Sequence, residues 1–91
     1  MATIWATKMV SGFQFQPGDT AYWVWNNAPS ETVYSFSVQP YVLQGSYGSA
    51  QVTGVNYYVH GNPQEREVHI TVKNTGSTTI NYDLFMSQIH I

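Results

Sequence analysis

The chain is 91 residues long and has no cysteine, which leaves room for one domain spanning 1–91 and excludes disulfides, thiolate chemistry and Cys-based metal centres. Charged residues (Lys8, Lys73, Arg66, Asp19, Asp83, Glu31, Glu65 and Glu67) make up 9% of it, where an average domain carries about 25%. Three scattered cations cannot neutralise the roughly six to ten phosphates of a nucleic-acid footprint, nor hold an anionic membrane, so neither is an expected partner.

Composition points to strands. Val, Ile, Thr and the aromatics supply 38 of the 91 residues, while Leu occurs twice and Ala five times. No stretch reaches the roughly 18 apolar residues of a membrane-spanning helix, so no membrane insertion is expected. Met1 to Trp5 lacks the basic start and apolar run of a signal peptide; the chain reads as soluble and its localisation stays open. A domain this small buries only about 60–70% of its unfolded surface, and with disulfides and thiolate metal sites excluded, oligomerisation is the expected support.

In chain order, Thr3 to Val10 reads as a first strand, and Phe13 and Phe15, alternating with Gln14 and Gln16, as a short second one. Gln16-Pro17-Gly18-Asp19 has the residues of a type II turn, Pro presetting φ and Gly accepting φ > 0. Thr20 to Asn26 follows as a strand with Ala21, Trp23 and Trp25 on one face and Tyr22 and Val24 on the other. Asn27-Ala28-Pro29-Ser30 breaks the run, and Thr32 to Pro40 resumes it with Tyr34, Phe36 and Val38 against Ser35, Ser37 and Gln39. Gln44 to Ser49, Gly/Ser-rich around Tyr47, reads as a surface loop.

The second half is more regular. Val55, Tyr57 and Val59 share one face, and Val68, Ile70 and Val72 share another opposite Glu67, His69, Thr71 and Lys73. Folding the chain about Gly61-Asn62-Pro63-Gln64 pairs His60 with Glu65, Tyr58 with Glu67 and Asn56 with His69. It also pairs Tyr57 with Val68 and Val55 with Ile70. A slip of one residue destroys that apolar-to-apolar, polar-to-polar match, so the register is specified. Asn74-Thr75-Gly76-Ser77 makes a last turn before a long strand with Ile80, Tyr82, Leu84 and Met86 in its inward row.

Six to eight short strands with turns between them describe an all-β fold, an antiparallel β-sandwich or a small barrel, and a single small β-sandwich of immunoglobulin-like or jelly-roll-like type is the expectation. Its expected core is Tyr34, Phe36, Val55, Tyr57, Val59, Val68, Ile70, Val72, Ile80, Tyr82 and Leu84. The segment Val68-His69-Ile70-Thr71-Val72-Lys73-Asn74-Thr75-Gly76 and the following Ile80-Asn81-Tyr82-Asp83-Leu84 resemble the strand, Asn-x-Gly turn, strand pattern of immunoglobulin-like and fibronectin-like accessory modules of bacterial surface and carbohydrate-active proteins. The resemblance covers about a fifth of the chain, implies a sandwich, and carries over no functional residue.

Motifs for catalysis and metal binding are missing. His60 and His69 stand four or five strand residues apart, about 13–17 Å, so with His90 they read as exposed sheet histidines and no metal site is expected. No Gly-x-Ser-x-Gly elbow or phosphate-cradling glycine loop occurs, and Asp19 and Asp83 have no evident partner. Glu65 and Glu67, about 6.6 Å apart on one strand face, match a glycosidase pair only in spacing, because so small a scaffold offers no deep cleft. No cofactor and no enzymatic activity are expected.

Aromatic residues are the stronger signal. Trp5, Trp23, Trp25, Tyr22, Tyr41, Tyr47, Tyr57 and Tyr58 exceed what one small core can enclose, so some lie at a surface. Flat rings beside amides and hydroxyls suit stacking on sugars, and the candidate ligand-binding residues are Trp25, Asn26, Asn27, Tyr47, Asn56 and Tyr58. A non-catalytic, lectin-like carbohydrate-binding module is therefore the first expectation, with a glycan as ligand. The alternative is a self-assembling structural protein in which the same rings bury between copies. Trp23 and Trp25 also fit an ordinary core position. Strands such as Tyr22 to Trp25 and Phe85 to Ile91, apolar on both faces, predict a homo-oligomer, by default a two-fold dimer with a ring as the alternative.

Overall fold

The computed structural model describes residues 3–26, 28, 31–42, 47–61 and 65–90. These form six strands: β1 (Thr3–Phe15), β2 (Thr20–Asn26), β3 (Thr32–Tyr41), β4 (Ala50–His60), β5 (Glu65–Asn74) and β6 (Ile80–His90). They pair antiparallel in two sheets, ordered β1-β6-β3 and β2-β5-β4, and no helix occurs among the described residues. Only β4 and β5 are sheet neighbours joined directly in sequence; the other connections pass between the sheets. The centres of the expected turns, Asn62 to Gln64 and Gln44 to Ser46, together with Pro29, Ser30 and Ile91, lie outside the described residues.

Alternation decides which face of each strand is buried. In β6, Ile80, Tyr82, Leu84, Met86 and Gln88 point one way and are buried; in β5, Val68, Ile70, Val72 and Asn74 do the same. These two central strands supply most of a core shared by both sheets, completed by Phe15, Ala28 and Tyr34. The Trp23 indole N–H donates to the Tyr82 hydroxyl across the gap between the sheets at 3.0 Å. Burial pushes the Tyr82 phenol above its ordinary range, a rise that this bond moderates.

The β4–β5 ladder has the expected register at every named pair, from His60↔Glu65 to Val55↔Ile70. At Gln16 to Asp19, Gly18 has φ 81° and the Asp19 N–H donates to the Gln16 carbonyl, as a type II turn requires. The Asn-x-Gly turn forms through the Asn74 Oδ1, which accepts the Gly76 N–H at 2.9 Å.

Three expectations are corrected. The N-terminal segment is one strand rather than two, with register breaks at Lys8/Val10 and Gly12/Phe15. At the second break Gln14 adopts φ 52° and its N–H donates to Asn81 Oδ1, so Phe13 and Phe15 land on opposite sides, Phe13 exposed and Phe15 buried. In β4, Val55, Tyr57 and Val59 share the face of Val68 and Ile70, as expected, yet are 37%, 59% and 52% exposed at the edge of their sheet. Asp83, expected to stand alone, accepts from Ser11 Oγ, and that bond, with the Tyr41 phenol and Lys8 nearby, holds its carboxyl below the usual range.

Candidate functional site

At one end of the molecule β3 begins, β4 ends and β5 begins, so three strand termini, with Ala28 and Glu31, surround a shared opening. The opening is a cleft of about 160 Å³ lined by Ala28, Glu31, Thr32, Tyr34, Tyr57, Tyr58, Val59, Arg66 and Glu67. Local pairing builds it. The Ala28 N–H donates to the Arg66 carbonyl, tying the chain after β2 to β5, and the Tyr57 hydroxyl donates to the Tyr34 carbonyl at 3.4 Å, tying β4 to β3. The Tyr34 and Tyr57 rings stand 6.5 Å apart at a tilt of 44°. Burial raises the Tyr34 phenol above its ordinary range, and its hydroxyl has no hydrogen-bond partner; the Trp25 indole lies close but outside bonding geometry.

Beside the cleft, the outer face of β4 and β5 carries a linked set of titratable groups. His60 Nε2 and His69 Nε2 each lie 2.9 Å from a different oxygen of Glu67, and His60 Nδ1 is 3.9 Å from Glu65. An ionised carboxylate only accepts, so both histidines carry hydrogen on Nε2. The bond from His60 and then that from His69 hold the Glu67 carboxyl below its ordinary range, while Glu67 holds His60 above its own. The Tyr58 ring packs on the His69 ring with centroids 4.3 Å apart. The histidines therefore differ from isolated sheet residues. Their backbones are as far apart as strand spacing requires, but the Glu67 side chain between them brings the rings into one cluster. Among the described residues no group of three or more His, Cys, Asp or Glu is placed to hold a metal ion.

The structure unites some of the candidate binding residues and separates others. Asn26, Glu67 and Tyr58 form one rung of the outer face, and Val24, His69 and Asn56 form the next, so Asn26, Asn56 and Tyr58 are neighbours on it. Trp25 lies on the opposite face, in the rung Trp25, Val68, Tyr57, half-buried against the core. Tyr47 is 96% exposed but sits before the start of β4, while Tyr58 is eight strand residues beyond Ala50, a separation of about 26 Å. Asn27 lies outside the described residues.

Glu31, Thr32, Tyr34, Tyr57, Arg66 and Glu67 are site residues that the sequence reading did not include. Its period-two phase assigns Tyr57 to the core; the pairing of Tyr58 with Glu67 is the one signal that points to this place. The chain matches no protein-family model, no curated protein and no solved structure.

Proposed function

We propose that this chain is a non-catalytic carbohydrate-binding module, with the two sheets closed on each other as a small β-sandwich of immunoglobulin-like or jelly-roll-like type. The observation that carries the reading is the cleft itself. Three tyrosines share it with two carboxylates, a threonine and an arginine, the mixture of flat rings and fixed hydrogen-bonding groups that reads a sugar's CH face and its hydroxyls. Its volume falls below the roughly 300–1,000 Å³ of sites that enclose a drug-sized ligand, which favours one sugar ring over a chain. Tyr58, Asn26 and Asn56 extend the polar surface beside it. Glu67, held below its ordinary range by bonds from His60 and then His69, offers its carboxylate as an acceptor for sugar hydroxyls.

So open a site binds one ring weakly, and self-association into a homo-oligomer provides strength by multivalency. The second reading, a self-assembling structural protein with no small ligand, is favoured by the exposed apolar residues of β2 and β4, among them Tyr22, Val24, Tyr57 and Val59. A glycan-array screen separates the two. Binding that is lost in Tyr58→Ala, with far-ultraviolet circular dichroism unchanged, supports the module; silence across sugars from a stable oligomer supports the structural reading. Trp25→Ala is the poorer probe, since Trp25 packs against the core and its removal acts on stability as well.

A further inference from the structure

Four strands lie at sheet edges, β1 and β3 in one sheet and β2 and β4 in the other. An edge strand presents backbone N–H and C=O groups without sheet partners, and proteins that remain monomeric blunt such edges with Lys, Pro or bulges. β1 carries Lys8 and two breaks of register, β3 carries Pro40, and β2, which has neither, is the shortest of the six described strands at seven residues. The second half of β4 has none of these protections. Its register irregularity lies earlier, between Val52 and Gly54, and all six residues from Val55 to His60 are exposed, with no Lys, Arg, Asp, Glu or Pro among them. Among the described residues no strand pairs with this outer edge.

The same run is complementary to itself. Directly opposed residues of an antiparallel pair share a sheet face, so two copies related by a two-fold axis through the sheet pair about one central residue. An axis at Tyr57 opposes Tyr57 to its own copy, Val55 to Val59, Asn56 to Tyr58 and Gly54 to His60. Apolar then meets apolar on the inner face and polar meets polar on the outer, with no like charges opposed. An axis at Asn56 draws the irregularity at Val52/Gly54 into the pairing, and one at Tyr58 leaves Val55 without a partner.

We infer that β4 is a dimerisation edge, pairing antiparallel with β4 of a second copy about a two-fold axis at Tyr57, so that two β2-β5-β4 sheets run on as one six-stranded sheet. This deepens the self-association proposed above by naming its surface. Because Tyr57, Tyr58 and Val59 also line the cleft, the two clefts flank the axis and are presented together.

The cysteine-free chain makes the test direct. Opposed Cβ atoms at the axis stand about 4.5–5.5 Å apart, close enough for a disulfide after slight adjustment. Tyr57→Cys is expected to give a cross-linked dimer on mild oxidation. Thr53→Cys, whose opposite number is Gly61 beyond the pairing, is expected to remain uncross-linked. Should Tyr57→Cys fail to fold, the double variant Asn56→Cys/Tyr58→Cys tests the same register, since those positions oppose each other across the axis. Light scattering is expected to give about twice 10.3 kDa for the unmodified chain at micromolar concentration, and 10.3 kDa for Val55→Lys with an unchanged circular dichroism spectrum. A 10.3 kDa particle for the unmodified chain, an undiminished mass in folded Val55→Lys, or cross-linking at 53 in place of 57 overturns the inference. None of these readouts involves a sugar, so their failure leaves the carbohydrate reading to its own test.

Discussion

Asn74 is the polar centre of the end of the molecule opposite the cleft. It is 1% exposed, and its side chain donates to the Phe15 and Thr78 carbonyls while accepting from the Gly76 N–H, each at 2.9 Å. Its backbone N–H donates to the Asp19 carbonyl and its carbonyl accepts from Gly18, so one residue joins the ends of β1 and β5 to the turns that follow them. Replacing it by Ala leaves these buried or half-buried groups unpaired, and Asn74→Ala is expected to lower unfolding stability by about 3 kcal/mol, measurable by urea denaturation. His60 and Glu67 act through charge at the surface instead. His60 is raised, chiefly by its bond to Glu67, so its contribution is present below the ordinary histidine value of 6.5 and fades as pH rises through its folded value. Glu67 is lowered, chiefly by His60 and then His69, so its contribution is present above 4.5 and fades as pH falls through its folded value. The difference in melting temperature between the unmodified chain and Glu67→Gln is therefore expected to peak between about pH 4.5 and 6.5. By NMR, the His60 ring should titrate above 6.5 and return toward it in Glu67→Gln. A His60 midpoint unmoved by the substitution contradicts the assignment.

At the scale of the strand, Gly12 shows what a single missing side chain permits. It lies opposite Tyr82 in the β1–β6 ladder, and a Cβ there collides with the far edge of the Tyr82 ring. That ring cannot easily give way, because it is buried, packed on Phe15 with centroids 4.9 Å apart and held by the Trp23 indole. Gly12→Ala is expected to cost about 1–3 kcal/mol through overpacking, read as a lower melting temperature. The strands themselves were largely legible in the sequence, for a physical reason that also marks where reading stops. β4 and β5 alternate cleanly on both faces, so only one register satisfies them. In β1 the irregularity around Gln14 changes which side Phe13 and Phe15 occupy, and no alternation rule reports a bulge. Phase also fixes direction without fixing cover: Val55, Tyr57 and Val59 point inward as read, yet whether another layer lies above them depends on how far the opposite sheet extends.

For the molecule as a whole, the described fold is long and thin. The Cα positions span 47 × 29 × 16 Å with a radius of gyration of 14.9 Å, against about 12 Å for a typical globular chain of this length. Such a shape leaves strand ends and edges exposed and places the cleft at one end, where β3, β4 and β5 terminate together. That convergence is the least legible part of the sequence, because Glu31 and Tyr34 come from one segment and Tyr57 and Arg66 from another, and the two meet only in the folded chain. Tyr47 and Tyr58 looked alike as polar-flanked tyrosines, and only the topology puts one at the cleft and the other at the far end. The most direct test of the carbohydrate reading is an NMR titration of the 15N-labelled chain with sugars chosen by the array screen. Amide shift changes are expected to centre on Ala28, Glu31 to Tyr34, Tyr57 to Val59, Arg66 and Glu67; shifts centred elsewhere, or none with any sugar, contradict that reading.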